Sequence, residues 1–258
     1  MVTKAKVEQP SEIQILKVDR ETMDFHILGT SPYICNRMSE KVKRELLAPK
    51  GRKTAVEKAS SMKHDPYAEY RDSPYIIKDE GAPTLLAMLP TAFKAAMGTA
   101  ALRTPGVKKT EIEQLVSVKW DMQPLYGIPK LKMDVTRSAD MNHTPDVRTR
   151  ACLGEWAAYL SVTFTRPILR ATAIANLLAA AGFISGVGDW RQEKGSGSFG
   201  CFELVGPDNA DFKRIVAAGG RAVQQDAMDN PVCFDDETSE LLAWFDVEIK
   251  RRGFAKVA

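Results

Sequence analysis

The sequence predicts an α+β protein, an antiparallel sheet with helices packed on one face. Three observations predict it. The elements run strands, helix, strands, helix, strand, the order of split β-α-β units. A long basic stretch, poor in large apolar residues, interrupts the first unit and marks an insertion, about residues 36–80. Residues 207–258 then carry helical periodicity alone. The expected organisation is a core over 1–206 with that insertion and a helical C-terminal extension over 207–258.

Taken in order, residues 1–10 read as a frayed leader ending at Pro10. Glu12 to Val18 alternates, with Ile13 and Ile15 on one side. Met23 to Leu28 alternates again, with Met23, Phe25 and Ile27 together. Asp19–Thr22 is a turn candidate between them, so the pair is two strands or one bent strand, and Gly29-Thr-Ser-Pro32 stops the second. Ser39 is an N-cap for a helix to Leu47. Pro49 to Ser73 reads as a long, partly mobile excursion. Tyr75–Lys78 and Thr84–Leu89 are short strands. Pro90 opens a helix with Phe93, Ala96, Met97, Ala100 and Ala101 on one stripe, closed by Pro105-Gly106. Leu115–Trp120 and Leu131–Val135 are strands separated by a Pro124–Pro129 turn region, and Asn142–Val147 is loop. Glu155–Thr165 is the clearest strand, with Leu160, Val162 and Phe164 on one face. Thr172–Ala181 is a helix turning Ile174, Leu177, Leu178 and Ala181 inward, with Gly182 at C′. A glycine-rich stretch leads to strand Cys201–Val205. The tail reads as two helices, Ala210–Met228 and Glu237–Arg252.

With 258 residues, 44% apolar and 27% charged, the chain can bury a sizeable core. No apolar run approaches the ~20 residues of a membrane span. Met1–Gln9 lacks the apolar centre of a signal peptide. Cys35, Cys152, Cys201 and Cys233 are far apart and read as free thiols in a reducing compartment, so a soluble, cytoplasmic protein is expected. Charge is uneven. Residues 37–71 hold ten basic and five acidic side chains, whereas 207–258 hold seven basic and ten acidic. A basic arm on a balanced body is either a polyanion-binding surface or a solvated segment.

Gly195-Ser-Gly-Ser-Phe-Gly200 is a literal GxGxxG. A dinucleotide fold needs it between a strand and a helix. Here a helix precedes it and a strand follows, so no nucleotide cofactor is expected. His26, His64 and His143 lack metal-ligand spacing, no Cys/His set has zinc spacing, and no GxSxG occurs. Asp235-Asp236 sits at a helix start, where capping explains it. The residues therefore point to binding or assembly rather than to an enzyme. The stretch from Gly186 to Leu204 combines Gly186, Gly188, Gly195, Gly197 and Gly200 with Trp190, Arg191, Lys194 and Phe199. Glycines let backbone approach a strand closely, and the aromatics offer stacking faces. The alternative is a turn whose Trp and Phe complete the core. Arg137, His143, Arg148 and Arg150 form a second cationic stretch, suited to phosphate or to salt bridges with Asp134, Asp140 and Asp146.

Phe25-His-Ile-Leu-Gly-Thr-Ser-Pro32, Leu89-Pro90-Thr-Ala-Phe-Lys94-Ala-Ala and Gly186–Leu204 together resemble the RAMP superfamily, the backbone proteins of CRISPR RNA-guided effector complexes. They match an early strand ending in a small-residue turn, a proline-led helix start of the P-x-S-x-K-G kind, and a helix leading through a glycine-rich loop into a strand. The resemblance implies a modified ferredoxin-like (RRM-like) core in a divergent, phage- or plasmid-borne relative. It also implies polymerisation along a single strand, RNA favoured over DNA, with other effector subunits as further partners. It places Lys94 near phosphates, the loop glycines and Arg191 against the strand or a neighbour, and Arg37, Lys41, Lys43, Arg44, Lys50, Arg52 and Lys53 as a clamp. Contacts would be sequence-tolerant. Two further readings are a structural protein of a virus or mobile element that self-assembles without nucleic acid, and an endoribonuclease using a histidine.

Overall fold

A computed structural model describes residues 17–47, 64–119, 122–137, 145–194 and 197–253. The first half holds β1 (Asp19–Gly29), β2 (Tyr33–Ile34), α1 (Glu40–Leu47), α2 (Pro66–Asp72), β3 (Tyr75–Ile76), β4 (Leu86–Met88), α3 (Pro90–Ala101), α4 (Lys109–Leu115), β5 (Val116–Val118) and β6 (Gln123–Tyr126). The second holds β7 (Pro129–Arg137), β8 (Pro145–Leu153), β9 (Ala157–Arg166), α5 (Ala171–Ile184), β10 (Phe202–Val205), α6 (Ala210–Ala218), α7 (Arg221–Asp229) and α8 (Asp236–Arg251).

The main sheet carries the expected α+β class in its strand order. β1–α3–β5 and β9–α5–β10 are the two β-α-β units. In space the strands run β10-β1-β9-β5, every neighbouring pair antiparallel, which is the ferredoxin-like arrangement. β1 and β9 pair from Asp19↔Arg166 to Leu28↔Ala157. β6 pairs with β9 beyond β5, and β4 and β3 extend the sheet from β6. Period-two alternation sends Phe25, Ile27, Leu160, Val162 and Phe164 to one face, where α3 and α5 pack with Phe93, Met97, Ile174 and Leu178. The crossover helices thus lie on one face. A smaller sheet, β2-β8-β7, pairs β2 with the β7–β8 hairpin that lies between β6 and β9.

The C-terminal helices are built into this body. Phe212 on α6 meets His26 and Tyr159 edge-on at 5.0 and 5.1 Å, on the sheet face opposite α3 and α5. His26 is therefore half-buried beneath an aromatic cluster rather than standing open on the sheet. Asp235 caps α8 by accepting the Thr238 N–H at 2.9 Å, as the helix-start reading expected. Thr238 Oγ1 in turn accepts the Met133 N–H of β7 at 3.2 Å.

Several local expectations are corrected. Asp19–Thr22 is strand, because the long partner β9 supplies a ladder for it. Much of 64–73 is helix α2, opened by Asp65 accepting the Ala68 N–H at 3.1 Å and by Pro66 at its first turn. Tyr70 is fully buried there, donating to Ala227 O at 2.9 Å. The rest of the excursion, 48–63, lies outside the described residues, as do 1–16. Pro124 lies in strand β6, and Pro145–Leu153 is a strand where loop was expected through Val147. Lys109–Leu115 adds a helix before β5. The first tail helix breaks at Gly219-Gly220 into α6 and α7. Gly182 is inside α5 rather than at its end. A Cβ there would sit 2.1 Å from Phe202 O, so the glycine permits helix and strand to touch. Gly186 ends the turn instead, with φ +70° and its N–H on Ala181 O at 3.0 Å.

Candidate nucleic-acid interface

The β7–β8 hairpin positions the second cationic stretch. Leu131, Met133, Ala151 and Leu153 face the core, so alternation turns Lys130, Lys132, Asp134, Arg148 and Arg150 to the outer face. Lys132 lies opposite Arg150, and Asp134 opposite Arg148. Lys130 and Lys132 were not singled out in the sequence, although the alternation of Pro129–Arg137 already exposes them together. Lys132 bridges Asp134 at 2.9 Å and Asp235 at 3.0 Å. Its charged form resists burial because of those two carboxylates, and its pKa is raised.

Arg150 is the junction. Its guanidinium donates to Cys35 O at 3.1 Å and pairs with Asp189 at 3.1 Å. Asp189 N–H donates to Ile34 O at 3.0 Å, and Asn36 Nδ2 donates to Gly188 O at 3.5 Å. The root of the basic arm, the hairpin and the glycine loop therefore meet at residues 34–37, although more than a hundred positions separate Cys35 from Arg150. Asn36 and Asp189 are members of this junction that sequence reading missed. Their pairing is visible only once the fold brings the segments together.

The loop itself is tightly held. Gly200 has φ +72°, and a Cβ there would stand 1.7 Å from Val187 O. Val187 N–H donates to Gly200 O at 2.9 Å, and Gly200 N–H to Pro32 O at 2.8 Å. Gly188 also has positive φ, and Gly197 packs on Trp190. Trp190 and Phe199 stack on each other, centroids 5.8 Å apart at 19°, and both are half-buried. Arg191 pairs with Glu193 at 3.0 Å, and Glu193 also accepts from Thr99 Oγ1 at 3.2 Å. Arg191 Nε is buried and has no partner among the described residues.

The remaining candidates are dispersed. Arg37 pairs with Glu40 and donates to Asp72 O at 3.0 Å, and Lys43 pairs with Glu40 at 3.0 Å. Arg37 thus ties the start of α1 to the end of α2, and Lys43 pairs within α1. Lys41 is exposed on α1. The side chains of Lys130, Arg44, Arg148 and Lys94 make no hydrogen bond or ion pair with a described residue. Lys94 lies on α3, in the helical layer, apart from the hairpin face. Lys50, Arg52, Lys53, Gly195, and the side chains of Arg137 and Lys194, lie outside the described residues, as does His143. His64 contacts Glu69 at 2.8 Å through Nδ1 and Asp146 at 2.9 Å through Nε2. Carboxylates thus engage both ring nitrogens. All four cysteines are free, and burial pushes the Cys152 thiol up to about 12. Among the described residues no helix is long and apolar enough to cross a membrane.

No known protein family matches the chain, and no curated protein matches it in sequence. Its structure is weakly similar to a chain of the Type III-B Cmr-beta bound to cognate target RNA, at 12% identity and a TM-score of 0.39, over 72% of this chain and 59% of that one. It is also weakly similar to Cmr6 from Pyrococcus furiosus, at 12% identity and a TM-score of 0.33, over 74% of this chain and 100% of that one. At these values neither similarity bears on function.

Proposed function

We propose that this chain binds single-stranded nucleic acid, RNA in preference to DNA, through phosphates and stacking rather than base sequence, as one subunit of an oligomeric assembly. The observation that carries the reading is the junction at Arg150, where arm root, hairpin and glycine loop come together. From it the outer hairpin face offers Lys130 and Arg148 to phosphates, while Trp190 and Phe199 provide aromatic surface. A base stacked on such a side chain gains about 1–3 kcal/mol. On this reading the chain binds and assembles and carries out no chemistry.

The test is fluorescence anisotropy of labelled poly-U with nuclease-treated protein across a salt series. Binding that weakens with salt, and that is lost in the K130E/R148E double variant, is expected. Salt-insensitive binding, or binding that ignores both substitutions, overturns the proposal.

One observation favours a second reading. Arg37, Lys43, Arg150 and Arg191 each already hold a carboxylate, which suits cations that stabilise the fold of a protein assembling without nucleic acid. Assembly that survives nuclease, in a protein that binds no strand, selects it.

A further inference from the structure

Two helices far apart in the chain expose apolar faces with opposite charge beside them. On the first, Val42 and Leu46 lie one turn apart and Leu47 follows, with exposures of 41, 72 and 88%. The exposed cation Arg44 lies one turn before Leu47 on α1. On the second, Trp244 and Val247 of α8 are 65 and 66% exposed, three residues apart on one face. Glu240 and Glu237 continue that face one and two turns earlier, and both are exposed. The opposite side of α8 is committed to the core through Thr238, Leu242 and Ile249, so the helix cannot roll to hide its tryptophan.

The order of chemistry along the two helices is the same. On each, an exposed charge stands one turn before a large exposed apolar side chain, Arg44 before Leu47 and Glu240 before Trp244. Laid parallel, Arg44 meets Glu240, while Leu46 and Leu47 meet Trp244 and Val247. We propose that α1 of one copy docks on α8 of a second copy of this chain. Because the two faces differ, the contact is heterologous and repeats from copy to copy, giving a ring or an open filament. The proposal rests on the assembly part of the function proposed above and not on its strand-binding part.

The experiment is sedimentation velocity of full-length, nuclease-treated protein over a range of concentrations. The wild type is expected to form species beyond a dimer. W244E, blocked on α8, and L46E/L47E, blocked on α1, are each expected to sediment as monomers. Mixed in equal amounts they should form a dimer and nothing longer, since one intact α1 face meets one intact α8 face. R44E and E240R should each weaken assembly by at least about tenfold, and their mixture should recover it. This charge pair leaves the apolar residues untouched and serves if a glutamate variant fails to show a cooperative unfolding transition. A monomeric wild type overturns the proposal, as does a mixture that stays monomeric. Assembly that W244E abolishes and L46E/L47E retains also overturns it, and shows α8 pairing with itself. Poly-U binding is read on the same samples. Lost assembly with retained binding removes this interface alone, and retained assembly with lost binding removes the strand-binding reading alone.

Discussion

Gln224 shows how much one side chain organises here. It is fully buried on α7, and its Oε1 accepts the Leu85 and Leu86 N–H groups, both at 2.9 Å. Its Nε2 donates to the carbonyls of Leu125, Gly127 and Gly219, at 2.7, 3.0 and 3.0 Å. These are backbone groups at the entry to β4, at the end of β6, and at the break between α6 and α7. Gln224→Leu conserves volume but takes this partner from two donors and three acceptors, of which Gly219 O keeps the Gly127 N–H. A buried group left unpaired costs about 1–3 kcal/mol, so the variant should lose at least about 3 kcal/mol in urea unfolding. Asp235 makes a prediction of different kind. Burial pushes its carboxyl up, but the Thr238 hydroxyl and N–H and the Lys132 ammonium outweigh that and hold it below the ordinary value. A carboxyl lowered in the folded state stabilises above its unfolded pKa, about 3.9, and loses that contribution as pH falls through the folded value. The stability gap between wild type and Asp235→Asn should therefore be full at neutral pH and shrink below about pH 4. Urea midpoints across a pH series read it, and a gap that grows on acidification is the contrary result.

At the level of elements, what the sequence made legible was alternation and helix punctuation. β9 and the inward faces of α3 and α5 follow from Leu160, Val162 and Phe164, from Phe93, Met97 and Ala100, and from Ile174, Leu177 and Leu178, all buried as expected. The losses have physical causes. In β8, Pro145 to Val147 read as loop, yet Val147, Thr149, Ala151 and Leu153 alternate on one side while Asp146, Arg148 and Arg150 face outward. In α2, Asp65-Pro66 is a helix start that the basic composition around it obscured. The break between α6 and α7 has a local sign in the pair Gly219-Gly220, which a single helix over 210–228 passes over, and the fold uses it to dock Gly219 on Gly127, whose N–H donates to Gly219 O at 3.3 Å. The candidate site was legible as three cationic or glycine-rich pieces. Their carboxylate partners, Asp189 and Glu193 above all, were not, because pairing is a property of the fold. The loop offers an element-scale test. Gly200→Ala needs a side chain at positive φ and against Val187 O, which no rotamer relieves. Strain of that kind costs about 1–3 kcal/mol. We expect a loss of stability in that range, and weaker poly-U binding, while the far-ultraviolet circular dichroism stays that of the parent.

For the molecule as a whole, electrostatics decides how a strand can be held. The net charge is only +3, so no strong long-range field draws in a polyanion. Binding must come from local contacts, and the ion pairs limit those. If Arg37, Lys43, Arg150 and Arg191 keep their carboxylates, Lys130 and Arg148 are the phosphate contacts left on the hairpin face. Each phosphate contact on a single strand contributes about −0.7 to the slope of log K against log salt, so one copy on a short oligonucleotide should show a slope of about −1.4. If those four arginine and lysine side chains exchange carboxylate for phosphate on binding, six contacts raise the slope to about −4. A slope near the lower figure means weak binding by one copy and useful affinity only when neighbours occupy the same strand. Affinity should then climb steeply with oligonucleotide length once a second copy fits, and W244E, blocked in assembly, should lose that length dependence while keeping the single-copy slope. Titrations of poly-U of increasing length against both proteins measure it. If W244E and the wild type respond identically to length, strand binding and assembly are uncoupled, and the molecule is not the filament subunit proposed here.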